Sequence, residues 1–271
     1  MIVLSLFDGI ACGLEALKRA GIEVTQYFAS EIEPNAIKIA MKNHPEIIQL
    51  GDVLEWRSWD LPKVDLIIGG SPCQGFANCG SKEGFDDPRS QLFWEMIDII
   101  EEYNPEFKML ENVVMKREWR DMISKAMGCE PVRINSKLVS AQLRNRDYWC
   151  NFKISAPEDR GLSFHDIIES GWVDRDKSLC IDATYWKGCA KSHYFKKSLR
   201  QLVFMEDTME GKHRMLSVSE CEKLQTLPVG YTDVDIYKKY KYQALGNGWT
   251  VEVISHIFSQ MQKQEEDYEW L

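Results

Sequence analysis

The sequence lacks long apolar runs. Nowhere in its 271 residues do about eighteen apolar residues follow one another, so no membrane-spanning helix and no membrane partner are expected. The first seven residues also lack the basic segment and the small-residue cleavage site of a signal peptide, which predicts a cytoplasmic protein. With 44% hydrophobic and 28% charged residues, the composition is that of one large globular domain, or of one domain with a modest insertion.

Close cysteine pairs are missing as well. The eight cysteines are far apart and no two have C-x-x-C spacing, which argues against a disulfide framework and against a zinc site. No metal is expected, and most of the thiols are predicted to be small buried hydrophobes. Any cysteine chemistry must come from one that its neighbours single out.

Positive charge is scarce, with 33 Lys and Arg against 42 Asp and Glu and a net charge of −9. This argues against a nucleic-acid coat protein, which would be basic throughout, but it allows a DNA enzyme with a local basic groove. One stretch, 183–204, contains no acidic residue. It carries five cations: Lys187, Lys191, Lys196, Lys197 and Arg200.

Up to about residue 155, β-rich runs alternate with helical periodicity, which is typical of βαβ units around a parallel sheet. Strands are predicted at 2–7, 25–30, 64–68 and 107–110, with an edge pair near 132–139 and 147–154. Helices are predicted up to Gly21, from Pro34 to about His44, and over Gln91–Tyr103. The fold class is therefore α/β.

The pattern lapses after residue 155. We interpret 1–155 as the main domain, 156–214 as an irregular insert, and 215–271 as a return to the main domain. In the return, Ser219 to Glu222 is predicted to form a capping box that opens a short helix. An amphipathic helix over 251–262 is predicted to close the chain.

Polar groups follow the predicted strands 2–7 and 25–30 and a third strand that precedes Gly51-Asp52-Val53. The turn Phe7-Asp-Gly-Ile-Ala-Cys-Gly13 is glycine-rich, which favours a ligand near a helix N-terminus, but its spacing disfavours a dinucleotide pyrophosphate. Glu31 ends the second strand, where it could accept from ribose hydroxyls, and Asp52 follows the third, where it could accept from an adenine amino group. Either acid alone could be a solvated surface carboxylate. Because these groups all lie at the ends of successive strands, a nucleotide-type ligand is favoured.

A thiol and a carboxyl group follow two later strands. Gly69-Gly-Ser-Pro-Cys73-Gln74 comes directly after 64–68, and Glu111-Asn-Val113 after 107–110. Side by side, the two groups suit nucleophilic catalysis with acid assistance, although a lone cysteine is more often inert. Gln142-Leu-Arg144-Asn-Arg146 adds two guanidinium groups, which point the same way in an extended strand. The alternative for these arginines is a solvated charged edge.

These motifs, in this order, resemble those of the DNA cytosine methyltransferases that modify carbon 5 of the base. The resemblance includes a late Gly246-Asn-Gly-Trp-Thr-Val251. Within the family, the motifs of this sequence most resemble those of the branch that contains the mammalian de novo enzymes. The resemblance implies a compact bacterial or phage enzyme, a monomer or weak dimer, with or without a companion restriction endonuclease. It also implies a Rossmann-like S-adenosylmethionine-dependent methyltransferase sheet, with helices on both faces and a small irregular target-recognition domain.

The resemblance also implies roles for individual residues. Cys73 would add, as thiolate, to carbon 6 of a cytosine flipped out of a short specific sequence of double-stranded DNA. Glu111 would bind ring nitrogen 3 and the exocyclic amine, and Arg146 the base oxygen, while Arg144 and Gln142 would support the loop. The cofactor S-adenosyl-L-methionine would bind a set of residues near the strand ends and in the late turn. They are Phe7, the backbone of Asp8, Gly9, Ile10, Ala11, Cys12 and Gly13, and Glu31, Ile32, Asp52, Val53, Leu92, Asn247, Gly248 and Trp249.

The insert matches no family pattern, and we predict that it recognises the DNA target. Its basic stretch is interleaved with Tyr185, Trp186, Tyr194 and Phe195. The alternative is that these aromatics form a small core and that the lysines are merely solvated. As a group, five cations without one acid in an acidic chain favour contact with DNA phosphates.

Three competing functions are disfavoured. A branch with the same catalytic set acts on transfer RNA, but the Cys-Phe-Thr tripeptide that marks it is absent from this sequence. A silent, DNA-binding paralogue would be favoured by loss of Cys73 or Glu111, and both are present. A dinucleotide-dependent oxidoreductase is disfavoured by the glycine spacing.

Overall fold

A computed structural model describes residues 1–72, 91–197 and 200–268. Cys73 and the segment 78–90, whose length would suit a closing lid, lie outside the described residues. Within the described ranges, no helix is long and apolar enough to span a membrane.

In the part of the chain that the structure describes, seven strands form one mainly parallel sheet, in the order β3-β2-β1-β4-β5-β7-β6. β1 runs parallel to β2 and β4, β4 runs parallel to β5, and β7 runs antiparallel to β5. The chain order reverses between β1 and β4, which is where open α/β sheets bind ligands, beyond the carboxyl ends of the strands. The strands are Ile2–Leu6 (β1), Gln26–Ser30 (β2), Ile48–Gln49 (β3), Leu66–Gly69 (β4), Phe107–Val113 (β5), Val132–Asn135 (β6) and Asn145–Cys150 (β7).

The central strands are buried along most of their length. Such burial is typical of a parallel sheet that is covered on both faces, and it explains why these strands read as continuous apolar runs. Gly69 ends β4 opposite Leu6 and Leu110. A Cβ at Gly69 would lie only 3.1 Å from the sulfur of Met96, so glycine is what allows this close approach.

Among the described residues, four helices accompany the sheet strands: Cys12–Arg19 (α1), Pro34–Asn43 (α2), Gln91–Tyr103 (α3) and Arg117–Met127 (α4). The bounds predicted for α3 are confirmed, because its apolar residues recur at helical spacing and Phe93, Met96 and Ile99 are fully buried. α4 was not predicted. The α/β fold class with a mainly parallel sheet is confirmed.

The chain divides into two compact units. The first consists of the described parts of Met1–Ile134, Asn145–Ala156 and Ile254–Leu271, and the second of Asn135–Arg144 and Pro157–Val253. The second unit therefore extends past residue 214. The functional division into 1–155, 156–214 and 215–271 stays a prediction.

The second unit contains a two-stranded antiparallel sheet of β8 and β9, beside short helices. Tyr194 packs in a small core with Leu202 and Phe204, and Tyr185 is also buried. Trp186 and Phe195 are 42% and 51% exposed, so the aromatics of the basic stretch are of two kinds. The elements are Lys191–Lys197 (α5), Leu202–Phe204 (β8), His213–Met215 (β9), Val218–Leu224 (α6), Lys238–Asn247 (α7) and Val251–Tyr268 (α8, which continues into the first unit).

The predicted capping box at Ser219 and Glu222 is wrong. The box lies two residues earlier, where the Ser217 hydroxyl accepts from the Glu220 backbone N–H and the Glu220 carboxylate accepts from that of Ser217. Glu222 instead accepts from the backbone of Gly230, in the following loop. The spacing alone fits both pairs, so only the position of the helix start distinguishes them. The closing helix is also longer than predicted, because it reaches Tyr268.

Candidate active site

The turn between β1 and α1 holds its backbone in an uncommon conformation. Phe7, Gly9 and Ala11 have φ angles of 57°, 64° and 60°. Left-handed geometry costs a non-glycine residue about 1–3 kcal/mol and is concentrated at functional sites. The side chains of Ile10, Ala11 and Cys12 are buried in the core, and Gly13 is buried beside them, so only their backbone can face a ligand.

Glu31 joins the end of β2 to this turn. Its Oε2 accepts from the Gly9 N–H at 2.8 Å, and its Oε1 accepts from the N–H groups of Ile32 and Glu33, each at 2.8 Å. These three bonds fix the carboxylate. A carboxylate oxygen can accept two hydrogen bonds, so Oε2 keeps acceptor capacity for a ligand hydroxyl.

Asp52 lies at the neighbouring position after β3. Its Oδ1 accepts from the Leu54 N–H at 3.0 Å, and the residue is exposed. Ser30, the last residue of β2, donates to the Gly51 carbonyl at 2.8 Å, which holds this loop beside β2. Val53 is buried, so it can offer only its backbone.

Two large exposed aliphatic side chains closely follow these carboxylates in sequence. Ile32 follows Glu31 directly and is 69% exposed, and Leu54 lies two positions after Asp52 and is 53% exposed. A single exposed aliphatic is ordinary, but one after each of two acidic positions at adjacent strand ends is suited to contact a flat apolar ring. Leu54 was not predicted. The signal that could have found it is an apolar residue two positions after Asp52, in a segment too short for a strand. Leu92, which was predicted, is half-buried against the core.

Asp8 contributes a buried carboxyl group that the sequence did not single out. Tyr27 donates its hydroxyl to Oδ1 at 2.7 Å, while Oδ2 is buried and has no hydrogen-bond partner among the described residues. Burial raises the pKa of Asp8 to about 6, and the nearby charge of Glu31 raises that pKa as well. A buried orphan oxygen calls for an explanation, and a ligand that donates a hydrogen bond supplies one.

The strand-end groups fit S-adenosyl-L-methionine. Asp8, Glu31 and Asp52 are acceptors, and no Lys or Arg occurs in 7–13, 30–33 or 50–54. The cofactor offers matching donors and positive charge in its ammonium group, its sulfonium, its ribose hydroxyls and its adenine amine. A phosphate group would be repelled here.

A second group of charged side chains lies on β5 and β7, where β5 is two strands from β1 in the sheet. The Nε of Arg146 is 2.8 Å from the Oε1 of Glu111, and the two side chains are only 16% and 10% exposed. The Nη1 of Arg146 also donates to the Asn145 carbonyl at 2.8 Å. The pair combines an oriented carboxylate with an oriented guanidinium, which together can bind the polar edge of a heterocyclic base.

Asn112, the next residue on β5, anchors the segment that leads to Cys73. Its buried amide donates to the Ser71 hydroxyl at 3.2 Å and to the Ser71 carbonyl at 3.4 Å. The sequence placed Asn112 in a motif without giving it a role. Its position shows that β5 supplies both the carboxylate and the anchor for the residues before the predicted nucleophile.

Arg144 and Gln142 belong to the second unit and are almost fully buried. The Arg144 guanidinium donates to the carbonyls of Ile181, Gly246 and Gly248, the last at 2.9 Å. Gln142 donates to the Leu224 carbonyl at 2.6 Å. The two guanidinium groups of Arg144 and Arg146 were expected to point the same way, but their partners differ, because β7 begins only at Asn145.

The predicted late turn lies at the end of α7. Gly246 is required there, because a Cβ would lie 2.2 Å from the Asp182 backbone. Asn247 is exposed and Trp249 is half-buried, and the Gly248 carbonyl is held by Arg144 and by the amide of Gln225. Arg144 therefore orders the turn that was predicted to bind the cofactor.

The five predicted DNA-contacting cations fall into two groups. Lys191 donates to the carbonyls of Glu210 and Gly211, and Arg200 donates to the Gly188 carbonyl and the Thr184 hydroxyl, so both hold the second unit together. Lys187, Lys196 and Lys197 are exposed. None of these three forms an ion pair within the described ranges.

The strand order of the sheet and the hydrogen-bond-accepting carboxylates at the carboxyl ends of its parallel strands are those of an S-adenosylmethionine-dependent methyltransferase fold. Residues 1–125 and 134–263 match the family model described as C-5 cytosine-specific DNA methylase. This match covers most of the sequence, and the chain belongs to that family, which uses S-adenosyl-L-methionine as methyl donor.

Curated relatives match over a shorter range. The orphan methyltransferase M.Rho11sI of Bacillus phage rho11s is 42% identical over 113 residues, which are 41% of this chain and 22% of that protein. The type II methyltransferase M.FnuDI of Fusobacterium nucleatum is 42% identical over 114 residues, which are 42% of this chain and 32% of that protein. The chain thus spans under a third of the length of these relatives.

Solved structures match over nearly the whole chain. A prophage-encoded chain from E. coli, described as a DNA modification methyltransferase, has a TM-score of 0.70 at 19% identity and covers 98% of this chain and 99% of its own. The DNMT2 protein of Spodoptera frugiperda has a TM-score of 0.66 at 20% identity, with coverage of 96% and 99%. At these identities the similarity shows the shared fold.

Proposed function

We propose that this chain transfers a methyl group from S-adenosyl-L-methionine to carbon 5 of a cytosine flipped out of a short specific sequence of double-stranded DNA, through a covalent Cys73 adduct. The observation that carries the proposal is the Glu111–Arg146 pair on β5 and β7, next to the Asn112 anchor of the segment that precedes Cys73. Family membership supplies the reaction class, and the pair supplies the base-binding groups.

The proposed residues act one after another in the steps of methyl transfer. The Cys73 thiolate forms a bond to carbon 6, and the electron pair of the 5,6 double bond moves to carbon 5. The Glu111 carboxyl group accepts from the exocyclic amine and donates its proton to ring nitrogen 3, which neutralises the negative charge that develops in the ring, while Arg146 binds the base oxygen. S-adenosyl-L-methionine, when bound, would supply an electrophilic methyl group. The electron pair on carbon 5 would form the bond to this methyl carbon, and the electrons of the broken sulfur–methyl bond would stay on the sulfur of the donor. Loss of the carbon 5 proton to a base then expels the Cys73 thiolate and restores the double bond.

The strand-end acids hold the methyl donor in this proposal. Glu31 accepts from the ribose hydroxyls, Asp52 from the adenine amine, and Ile32 and Leu54 contact the adenine ring. Asp8 accepts a donor with its unpartnered oxygen. The cytosine must leave the duplex, because a stacked base cannot present its face to a thiol and a methyl donor together.

The exposed cations of 156–214 contact DNA phosphates in the same proposal, and other groups of this segment read the target sequence. The relatives include an orphan methyltransferase and a type II methyltransferase, so a solitary enzyme and one with a companion restriction endonuclease are both within the proposal. We propose a monomer or weak dimer.

A direct test follows methyl transfer from tritiated S-adenosyl-L-methionine to duplex DNA and to transfer RNA, with Cys73→Ala and, as a matched control, Cys129→Ala. DNA that contains 5-fluorocytosine should form an adduct with the parent and the control, because fluorine cannot leave as the proton does. Turnover by Cys73→Ala, or transfer to RNA alone, contradicts the proposal. Bisulfite sequencing of host DNA then identifies the modified sequence.

A further inference from the structure

A cavity of about 600 Å³ lies within the second unit, and none of its lining residues belongs to the candidate active site. This volume falls in the range of about 300–1,000 Å³ that ligand pockets occupy. Its walls come from β9 and α7 and from the short 3-10 helix Tyr185–Lys187, which packs against α7. Trp186, Lys238 and Lys239 line it, and we call it the Trp186 cavity.

The walls of the Trp186 cavity are fixed by hydrogen bonds to one residue. The Tyr185 hydroxyl accepts from the Leu216 N–H at 2.8 Å, and the Tyr242 hydroxyl donates to the Leu216 carbonyl at 2.6 Å. The two rings meet edge to face, with centroids 5.5 Å apart. The shape of the cavity is therefore set before any ligand arrives.

Negative charge in the walls is already paired. Glu169 forms an ion pair with Lys223, whose Nζ lies 3.6 Å from its Oε1, and it also accepts from the hydroxyls of Ser217 and Ser219. Glu220, behind the lining residue Arg214, accepts two hydrogen bonds from that guanidinium, both 2.7 Å long. These carboxylates are committed to partners within the walls.

The lysines of the cavity have no such partners. Over the described ranges, no carboxylate forms an ion pair with Lys238 or Lys239, whose ammonium groups lie 5.5 and 4.5 Å from the ring centroids of Tyr242 and Tyr240. Lys187 is placed similarly, 5.6 Å from the Trp186 centroid. Two adjacent cations in the first turn of α7 also oppose the helix dipole, and a bound anion would relieve this.

Two stretches without acidic residues meet at this cavity. One is 183–204, which supplies Trp186, and the other is 236–251, which supplies Lys238 and Lys239. Their meeting in a chain of net charge −9 favours a partner that is a polyanion. Trp186 is 42% exposed, and cations beside an exposed aromatic ring are the combination that binds nucleic-acid backbones and bases.

We propose that the Trp186 cavity binds the sugar-phosphate backbone of the DNA substrate away from the target base. Lys238 and Lys239 contact phosphates, and Trp186 contacts a neighbouring sugar or base. The choice of DNA rests on the proposed function. The proposal adds α7 to the DNA-contacting surface, beyond the segment 156–214.

The test uses a double variant of the cavity, Lys238→Gln with Lys239→Gln, then Trp186→Ala alone, and a control double variant, Lys63→Gln with Lys153→Gln. The control lysines are exposed and lie before β4 and after β7, at the edge of the main sheet opposite the carboxyl ends of the parallel strands. Fluorescence anisotropy with a labelled DNA duplex gives affinity over a range of salt concentrations. Thermal melting confirms that each variant is folded.

The cavity double variant should reduce the slope of log affinity against log salt by about 0.9 for each phosphate that a lysine no longer neutralises, which is roughly five-fold in affinity per phosphate near physiological salt. Trp186→Ala should weaken binding with little change in slope. Values for the cavity variants equal to those of the control overturn the proposal, and so does competition by inorganic phosphate alone at equal phosphate concentration. A loss of binding to transfer RNA but not to DNA assigns the cavity to RNA instead.

Methyl transfer, measured on the same duplexes, separates this inference from the proposed function. If the parent methylates DNA and the cavity variants bind like the control, only the cavity proposal fails. If the parent transfers no methyl group to DNA but the variants lose the salt slope, the proposed function fails and the cavity remains a nucleic-acid site.

Discussion

The guanidinium of Arg146 lies 2.8 Å from the carboxylate of Glu111, across the antiparallel junction of β5 and β7. Both side chains are largely buried, and each helps to balance the charge of the other. The geometry also keeps both groups oriented before a base arrives, so that binding the base costs little further ordering.

Replacing Glu111 by Gln should therefore reduce methyl transfer about 100- to 1,000-fold, as loss of one oriented electrostatic group does elsewhere. Affinity for S-adenosyl-L-methionine, measured by calorimetry, should stay within a few-fold of the parent value.

Arg146→Gln alone should lower the free energy of unfolding by about 1.5–3 kcal/mol, because a charged hydrogen-bond partner is removed. The double variant should be less destabilised than the sum of the singles, and strict additivity would show that the pair is not coupled.

The α/β class and most elements of the sheet could be predicted because parallel strands buried on both faces leave continuous apolar runs, and α3 leaves a helical repeat. The 3-10 helix Val53–Ser58 and α4 were missed, since the first is too short for periodicity and the second has few buried residues. Asp8 was missed as a side chain because its importance comes from Tyr27, far along the chain, and from burial. Neither leaves a local signal.

Residue roles were harder to predict than residue positions. Arg144 and Arg146 alternate in sequence, yet one holds carbonyls around Gly248 and the other holds Glu111. Alternation predicts a common direction only inside a strand, and β7 begins between them. In the same way, the acid-free stretch could not show that Lys191 and Arg200 bind carbonyls while Lys196 and Lys197 face outward.

Replacing Glu31 by Ala should weaken binding of S-adenosyl-L-methionine by about 1–3 kcal/mol, because the ribose hydroxyls lose their acceptor and the turn loses its anchor at Gly9. Glu33→Ala is the matched control. Glu33 accepts from the Asn35 N–H at the start of α2, so its loss should cost stability but not affinity. Equal calorimetric affinities for the two variants would contradict the assignment of Glu31.

Titration of Asp8 should make both the free energy of unfolding and the affinity for S-adenosyl-L-methionine depend on pH. Its pKa is about 6 in the folded chain and 3.8 in the reference, so the folded state holds the proton more tightly. The contribution of Asp8 to the free energy of unfolding is therefore full below pH 3.8 and is lost as the pH rises through about 6. Affinity for S-adenosyl-L-methionine should instead rise as the pH rises through about 6, because only the ionised carboxylate of Asp8 attracts the positively charged cofactor. Titrations between about pH 5 and about pH 7 should show this rise in the parent and not in Asp8→Asn. A pH-dependent affinity that persists in Asp8→Asn would exclude this carboxyl group as its source.

Arg144→Lys should act through the late turn. A lysine ammonium cannot donate to Gly246 and Gly248 with the geometry of a guanidinium fork, so the turn should be less ordered. We expect a raised KM for S-adenosyl-L-methionine with a smaller change in kcat. A change confined to kcat would instead place Arg144 at the reacting base.

The cations of the basic stretch separate into structural and DNA-contacting members. Replacing Lys196 and Lys197 by Ala should reduce the salt slope of DNA binding by about 0.9 for each phosphate left without its lysine, while the melting temperature and the methylated sequence stay the same. Arg200→Ala should instead lower the free energy of unfolding by about 1–3 kcal/mol, because the Gly188 carbonyl and the Thr184 hydroxyl lose their donor. Binding of a guanine edge by Arg200 would require its guanidinium to leave these partners. An altered methylation pattern in Arg200→Lys at unchanged melting temperature would favour guanine binding, whereas a lower melting temperature with an unchanged pattern would favour the structural role.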